Sequence, residues 1–326
     1  MQFTTVSAKV FGDESPDVQI PAMVREVGQE SEAYIPAIDA TYTFDRNNLS
    51  VVNNFLNSAW TEGTKEGLQL IGPTGSGKTS LIEQVCARLN VPVVSVTAHE
   101  RMEVPELISS IVAFEGSTMT VDGPLTMAIR NGWPFVLNES DLLESGTATG
   151  LNDIIERGFL VIPSTNELVR AAQGFAFIAT SNTGGAGDDL GAYVGTKVQN
   201  LAFRDRFLKV VVDYMDEPTE LKLLERKFPS TSVQVLKGFI AVANMIREGF
   251  KAGTGLDVTM STRTLVRWVR LTGQFAGIER RGHQPIHYAM DLALANGTSA
   301  AVSESLHSMI QQHIGVDRFV TANTGD

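Results

Sequence analysis

The chain has 326 residues, 43% hydrophobic and 19% charged, with a formal net charge of −11 and a sequence pI of about 5.0. That length suits one large domain or two moderate ones with a sizeable core, and the acidic balance argues against a protein that coats nucleic acid nonspecifically, which needs a basic surface to release phosphate counterions. No apolar run is long enough to span a bilayer, Met1–Val10 lacks the basic-then-apolar order of a signal peptide, and the single cysteine, Cys86, precludes an intrachain disulfide, so the expected compartment is the cytoplasm.

Residues 1–33 are acidic, carry Pro16 and Pro21, and show weak periodicity, which predicts an N-terminal arm or a small add-on. Leu49, Val52, Phe55 and Leu56 fall at helical spacing and predict a helix over Asn47–Trp60. Leu68–Ile71 is a short strand ending at Gly72, and a helix follows from Lys78 to Leu89. Further strands are expected at Val91–Val96, Pro134–Asn138, Phe175–Thr180 and Leu208–Val212, with helices at Pro105–Val112, Gly123–Asn131 and Gly150–Arg157 between them. Strands alternating with helices imply an α/β fold, a parallel sheet covered on both faces. After Asp216 the pattern turns wholly helical: Glu217–Phe228, Val233–Phe250, Ser261–Phe275, Ile286–Leu294 and Ser303–Ile314. The expected organisation is therefore an arm (1–33), a P-loop α/β domain (34–216) and a helical lid domain (217–326).

Gly72, Pro73, Thr74, Gly75, Ser76, Gly77, Lys78 and Thr79 match G-x-x-x-x-G-K-[ST] and lie between a strand and a helix. The glycines let backbone N–H groups turn inward around phosphates, and the helix start adds the positive end of a dipole. Lys78 is expected to reach the β- and γ-phosphates of ATP, and the Thr79 hydroxyl to ligate Mg²⁺. A later strand end normally carries an acidic pair. Here it reads Asn138-Glu139, followed by Asp141. Glu139 suits a general base on the attacking water, whereas Asn138 brings a hydrogen bond but no charge. Asp141 is the carboxylate expected to make up for that missing charge. Ser181-Asn182 closes the next strand, placing a polar side chain where it can position the lytic water. Arg204 and Arg206 precede the last strand, where an arginine can stabilise transferring charge on a neighbouring subunit's nucleotide; the plainer reading is a surface pair with Asp205. Arg263 opens a helix of the second domain.

Other residues have structural readings. Cys86 belongs to a packed helix. Trp60, Trp133 and Trp268 sit among apolar neighbours. Arg267 and Arg270 extend a basic helix stripe. His283 and His287 stand four apart, but Pro285 lies between them and no third metal ligand is near. His99 follows a strand into a solvated loop.

With these residues in order, the chain resembles the MoxR-like group of AAA+ ATPases, and within it the ATPase subunit of aerobic cobaltochelatase. The resemblance covers residues 34 to 275. It rests on Ile35–Asp39 with Tyr42 and Phe44–Arg46, the phosphate loop, Glu83–Val85 with Ala87–Asn90, and above all Ala179–Thr183 followed by Gly187-Asp188, Gly191, Tyr193 and Gly195-Thr196. Asp205-Arg206 and Met260-Ser261 with Arg263-Thr264 complete it. It implies ATP bound between subunits of a ring, commonly a hexamer. It further implies Asn182 as sensor 1, Arg206 as arginine finger with Arg204 second in line, and Arg263 as sensor 2. The implied partners are a protein with a von Willebrand A-type domain and a client to be remodelled. Two rival functions remain beside this one. An ATP-gated assembly or scaffold factor is favoured by the uncharged Asn138, and a small-molecule kinase is disfavoured by Asn182, Arg263 and the long helical domain.

Overall fold

Two strands open the chain, β1 (Gln2–Ser7) and β2 (Gln19–Val24), joined as an antiparallel hairpin with Gln2 opposite Val24. The computed structural model describes residues 2–12, 15–24, 30–63, 65–114, 116–188, 191, 193–253 and 255–319; parts of the expected arm, at 1, 13–14 and 25–29, lie outside them. The hairpin gives this N-terminal segment a regular structure that its weak periodicity does not announce. Ala22 and Met23 are buried, and the Asn53 and Asn57 side chains of helix α1 (Arg46–Thr61) both donate to the Pro21 carbonyl at 3.0 and 2.9 Å. Tertiary contacts with α1, more than strand propensity, hold it.

By its contacts the chain divides into two compact units, 1–72 with 77–212, and 73–76 with 213–326. The first unit continues with β3 (Gly67–Ile71), α2 (Lys78–Arg88), β4 (Val94–Thr97), α3 (Val104–Ile108), β5 (Ser109–Phe114), β6 (Ser117–Asp122), α4 (Pro124–Asn131) and β7 (Pro134–Asn138). It ends with α5 (Ser145–Gly150), α6 (Asn152–Arg157), β8 (Phe159–Ile162), β9 (Glu167–Arg170), β10 (Ala176–Ser181), α7 (Leu201–Arg204) and β11 (Phe207–Val211). Five strands form one parallel sheet in the order β11-β3-β10-β7-β4. Successive side chains point to opposite faces, so Phe135, Leu137, Phe177 and Ala179 enter one core with α4 and α6. Leu68, Leu70, Val136 and Ile178 enter the other with α1 and α2. Each fully buried Leu, Ile or Phe contributes about 1.5–3 kcal/mol, and this two-sided burial explains the unbroken apolar runs. All five expected sheet strands are present.

The helix expected over Pro105–Val112 stops at Ile108. Ser109 turns extended, and β5 pairs with β6 around Gly116, whose φ of +78° suits glycine. The run Ile111–Val112 is β-branched and favours the strand once Leu107 and Ile108 are buried. Besides the β5–β6 hairpin, β8 pairs with β9 in another that turns at Asn166 in the left-handed region. Arg130 ties the two hairpins together. Its Nε donates to Asp122 at 2.7 Å, and its two terminal nitrogens donate to Glu167 at 2.7 and 2.8 Å.

The second unit is built from α8 (Glu217–Lys227), α9 (Val233–Lys251), α10 (Thr262–Gln274), α11 (Pro285–Ala293) and α12 (Ala300–Ile314). Asp216, Ser232, Ser261 and Ser299 cap four of these helices by accepting backbone N–H groups of the first turn. Their apolar faces meet at Phe239, Ile240, Trp268, Met290 and Leu306; Trp268 is fully buried and its indole N–H donates to the Ile286 carbonyl at 2.9 Å. A buried Arg247–Glu220 ion pair is made bidentate at 2.8 and 2.7 Å, with Arg247 Nε also bonded to the Met260 carbonyl. His287 turns toward His307. Their Nδ1 atoms lie 2.8 Å apart, His287 Nε2 donates to the Val316 carbonyl at 2.7 Å, and His307 Nε2 meets Asp291 at 2.8 Å.

Candidate nucleotide site

The carboxyl ends of β3, β10 and β7 are neighbours, and each contributes a polar residue at or just past its last position. β3 runs into Gly72 and the loop that ends at Gly77, where α2 begins. Gly75 and Gly77 have φ of +73° and +96°, backbone that an L side chain adopts only under strain, so the loop can expose its amides. Lys78 follows at the first helical position. Its ammonium donates to the Gly72 carbonyl at 2.7 Å and to Asn182 Oδ1 at 2.9 Å.

Thr79, next on α2, donates its hydroxyl to Asn138 Oδ1 at 2.5 Å. Asn138 also accepts from the Thr180 hydroxyl at 3.2 Å, and its Nδ2 donates to Ser95 Oγ on β4 at 2.8 Å. The carboxamide therefore uses both its ends, accepting at Oδ1 and donating from Nδ2. Glu139 follows at φ +54°, the left-handed region, with its N–H bonded to Thr180 Oγ1 at 3.2 Å and its side chain exposed. That backbone state is uncommon for a non-glycine residue and is concentrated at functional positions.

The expectation that Asp141 replaces the charge absent from Asn138 is corrected by its surroundings. Asp141 is 1% exposed, and its Oδ2 accepts from the Asn182 and Thr183 N–H groups at 2.8 and 3.0 Å and from the Thr183 hydroxyl at 3.2 Å. The carboxylate faces the loop after β10, where these donors already engage it. Arg206 is paired within its own chain: Nε and Nη2 lie 3.1 and 2.9 Å from Glu156, and Nη1 donates to the Ala202 carbonyl. Arg204 borders a surface hollow with Leu201, Ala202, Asp205 and Lys209. Arg263 lies exposed in the first turn of α10, in line with exposed Arg267 and Arg270.

The structure thus sets two hydrogen-bonded groups on consecutive residues of α2, Lys78 with Asn182 and Thr79 with Asn138, with Glu139 adjacent in sequence to Asn138. Two members were not singled out in the sequence, Thr180 and Ser95. Each hydroxyl follows or interrupts apolar residues, Thr180 after Ala176–Ala179 and Ser95 between Val94 and Val96, with Ser181 and Thr97 as further hydroxyls in the same strands. Cys86 is buried in α2, which pushes its thiol pKa up to about 12, away from thiolate chemistry.

The donors near the loop are hard oxygens, the hydroxyl of Thr79 and the amide oxygen of Asn138. Among the described residues no group of three His, Cys, Asp or Glu converges to hold a metal by itself. This donor set fits a Mg²⁺ ion that arrives with phosphate oxygens and water, since Mg²⁺ keeps much of its hydration and takes few protein ligands. Among the described residues no helix is long and apolar enough to cross a membrane.

A five-stranded parallel sheet with a glycine loop after a central strand and polar ends on its neighbours defines a P-loop ATPase of the AAA+ class. Residues 67–207 match the AAA domain (dynein-related subfamily), and residues 220–313 match the CbbQ/NirQ/NorQ C-terminal family. The chain is 29% identical to the aerobic cobaltochelatase subunit CobS of a Sinorhizobium species, over 84% of this chain and 82% of that protein. It is 30% identical to protein NorQ of Paracoccus denitrificans, over 65% of this chain and 75% of that protein. A solved structure of a provisionally assigned ATPase from Cytophaga hutchinsonii aligns with 90% of this chain and 93% of its own at 15% identity, with a TM-score of 0.44. The chain belongs to the MoxR-like AAA+ ATPases.

Proposed function

We propose that this protein binds Mg-ATP in the loop Gly72–Thr79, hydrolyses it as an oligomeric ring of sixfold order, and uses the cycle to remodel a partner protein in the cytoplasm. The observation that carries the reading is the Lys78 ammonium held between the Gly72 carbonyl and Asn182, with Thr79 bonded to Asn138 one residue away. These contacts sit where a terminal phosphate and its cation have their partners in a P-loop enzyme. When bound, Mg²⁺ neutralises phosphate charge and orients the terminal group. Lys78 binds the β- and γ-phosphates, while the amides of Thr74 to Gly77 surround them. Thr79 offers its hydroxyl to the ion, and Asn138 orients Thr79. Glu139, exposed at its strand end, takes the proton of the attacking water. Asn182 orients that water as sensor 1. Arg206 of a neighbouring subunit, released from Glu156, stabilises the transferring charge, and Arg263 serves as sensor 2. In domain terms, residues 34–216 form the ATPase domain, 217–326 the helical lid, and 1–33 an accessory arm. Likeness to a cobaltochelatase subunit supports a multi-protein setting, and a partner with a von Willebrand A-type domain is part of the same reading.

Asn138 favours a second reading, an ATP-gated assembly factor with weak turnover, because the strand end carries no negative charge beside the cation. Three measurements on the full chain separate the two. Fluorescent-nucleotide titration should show binding that Lys78→Ala removes. Phosphate release should stop in Glu139→Gln with binding retained. Mass measurement with and without ATP should show a ring. Nucleotide affinity untouched by Lys78→Ala overturns both readings, and binding without phosphate release leaves the assembly factor.

A further inference from the structure

Asp141 is a buried acid with an unusual distribution of partners. One oxygen, Oδ2, accepts three hydrogen bonds from Asn182 and Thr183, while Oδ1 is enclosed without a hydrogen-bond partner among the described residues. An unpaired oxygen on a buried carboxylate is costly, and stability alone is better served by an apolar residue of similar size. The three donors, two amides and the Thr183 hydroxyl, belong to one place, the two residues just past β10. They fix the Asn182 and Thr183 amides, and the Asn182 side chain that leaves this backbone accepts from Lys78 at 2.9 Å. The same turn reaches a second segment. The Asp141 carbonyl accepts the Lys197 N–H at 2.7 Å, and the neighbouring Leu143 carbonyl accepts from the Gln199 side chain at 2.7 Å. Gln199 N–H in turn bonds the Gly185 carbonyl at 3.0 Å, closing the loop that leads into α7 and to Arg204 and Arg206.

We infer that Asp141 is the positioning residue of this site: its carboxylate holds the backbone of Asn182 so that the carboxamide meets Lys78, and its turn sets the start of the arginine-bearing segment. The inference rests on the proposed roles of Asn182 and Lys78 in ATP hydrolysis. Asp141 acts through the residues its carboxylate holds, Asn182 and Thr183. Bonds to a charged oxygen are roughly twice as strong as bonds to a neutral one, so the charge is what makes the hold firm. Replacing it with asparagine keeps the shape and one acceptor oxygen, relieves the buried charge, and loosens the hold.

The test uses the full chain and the variants Asp141→Asn and Asp141→Glu, with Lys78→Ala as the control for the site itself. Hydrogen exchange should show the Asn182 and Thr183 amides of Asp141→Asn opening at least about tenfold faster than in the parent, with Ile178 in mid-strand unchanged. Phosphate release should show kcat lower by about ten- to a hundredfold, KM for ATP within about threefold, and the melting temperature within about 3 °C. Asp141→Glu, whose longer arm displaces the oxygen, should not restore kcat. Unchanged exchange at residues 182 and 183 overturns the inference, as does a kcat loss matched by an equal loss of folded protein. If Lys78→Ala binds ATP as well as the parent, the proposed function fails instead, while the exchange measurement still decides whether Asp141 holds Asn182.

Discussion

Lowering the pH should weaken the helical unit through one residue, His287. The side chain is 2% exposed, and burial lowers its pKa; the nearby His307 and Arg318 add to that effect, while the Val316 carbonyl and Asp291 oppose it. The groups around it are His307 and Glu304 on α12, Asp291 on α11, and Arg318 beyond α12, which lies 3.5 Å from Asp291 and 3.8 Å from Glu304. The bonds show why a further proton is unwelcome. His287 already donates from Nε2 to Val316, so its Nδ1 must accept from His307. A proton on that Nδ1 sets two donors face to face at 2.8 Å. In the unfolded chain His287 titrates near its ordinary value of about 6.5. Its contribution is therefore fully present above that pH and is lost as pH falls toward the lower folded value, because the unfolded state binds more protons there. The slope is at most about 1.4 kcal/mol per pH unit, which gives up to about 2 kcal/mol between pH 6.5 and pH 5. Urea unfolding followed by circular dichroism and by tryptophan emission measures it. His287→Leu should be weaker at pH 7.5, since the Val316 carbonyl and His307 each lose a partner at about 1–3 kcal/mol. Its stability should then fall less steeply than that of the parent as pH drops. Parallel curves for the two proteins below pH 6.5 would refute the reasoning.

Asn138→Asp should raise phosphate release at least about tenfold, with the Thr79 contact kept and melting little changed, because the acceptor oxygen remains and a charge is gained; a rate equal to the parent shows that the neutral strand end is no handicap. Cys86 should resist thiol reagents at pH 8 in the folded chain and react fully in urea, and labelling at the rate of a free thiol would contradict its burial. Trp268→Ala should cost the helical unit about 3–5 kcal/mol in urea unfolding, since the indole is fully enclosed and its N–H satisfied; a loss below about 1 kcal/mol would mean the core closes over the gap.

Much of this architecture was legible because local and long-range preferences agree. Leu68–Ile71, Pro134–Asn138 and Phe175–Thr180 are apolar runs of strand length bounded by Gly or Pro, and burial on both faces is what such runs are for. Helices α8, α9, α10 and α12 carry Ser or Asp caps at their true starts, and the boundaries fall within a few residues of the expected ones. The hairpins were not legible in the same way. β1 exposes four of its six residues and β2 owes its place to α1, and β5 follows a helix without a break in polarity. At the site, spacing located Lys78, Thr79, Asn138 and Asn182, because each sits at a strand end or helix start that the chain order predicts. It gave no warning that Asp141 turns toward Asn182 or that Arg206 pairs with Glu156. Those partners lie 41 and 50 positions away in sequence, and only the folded chain sets them side by side.

The dihedral at Glu139 has a cost that recurs in every folded molecule. A left-handed residue with a side chain gives up roughly 1–2 kcal/mol that glycine would keep. Glycine there would make a sturdier chain with no carboxylate at the strand end. Random improvement for heat resistance should therefore drift toward that substitution and, under the role proposed for Glu139, silence the protein as it does so, a trade between endurance and work settled at one φ angle.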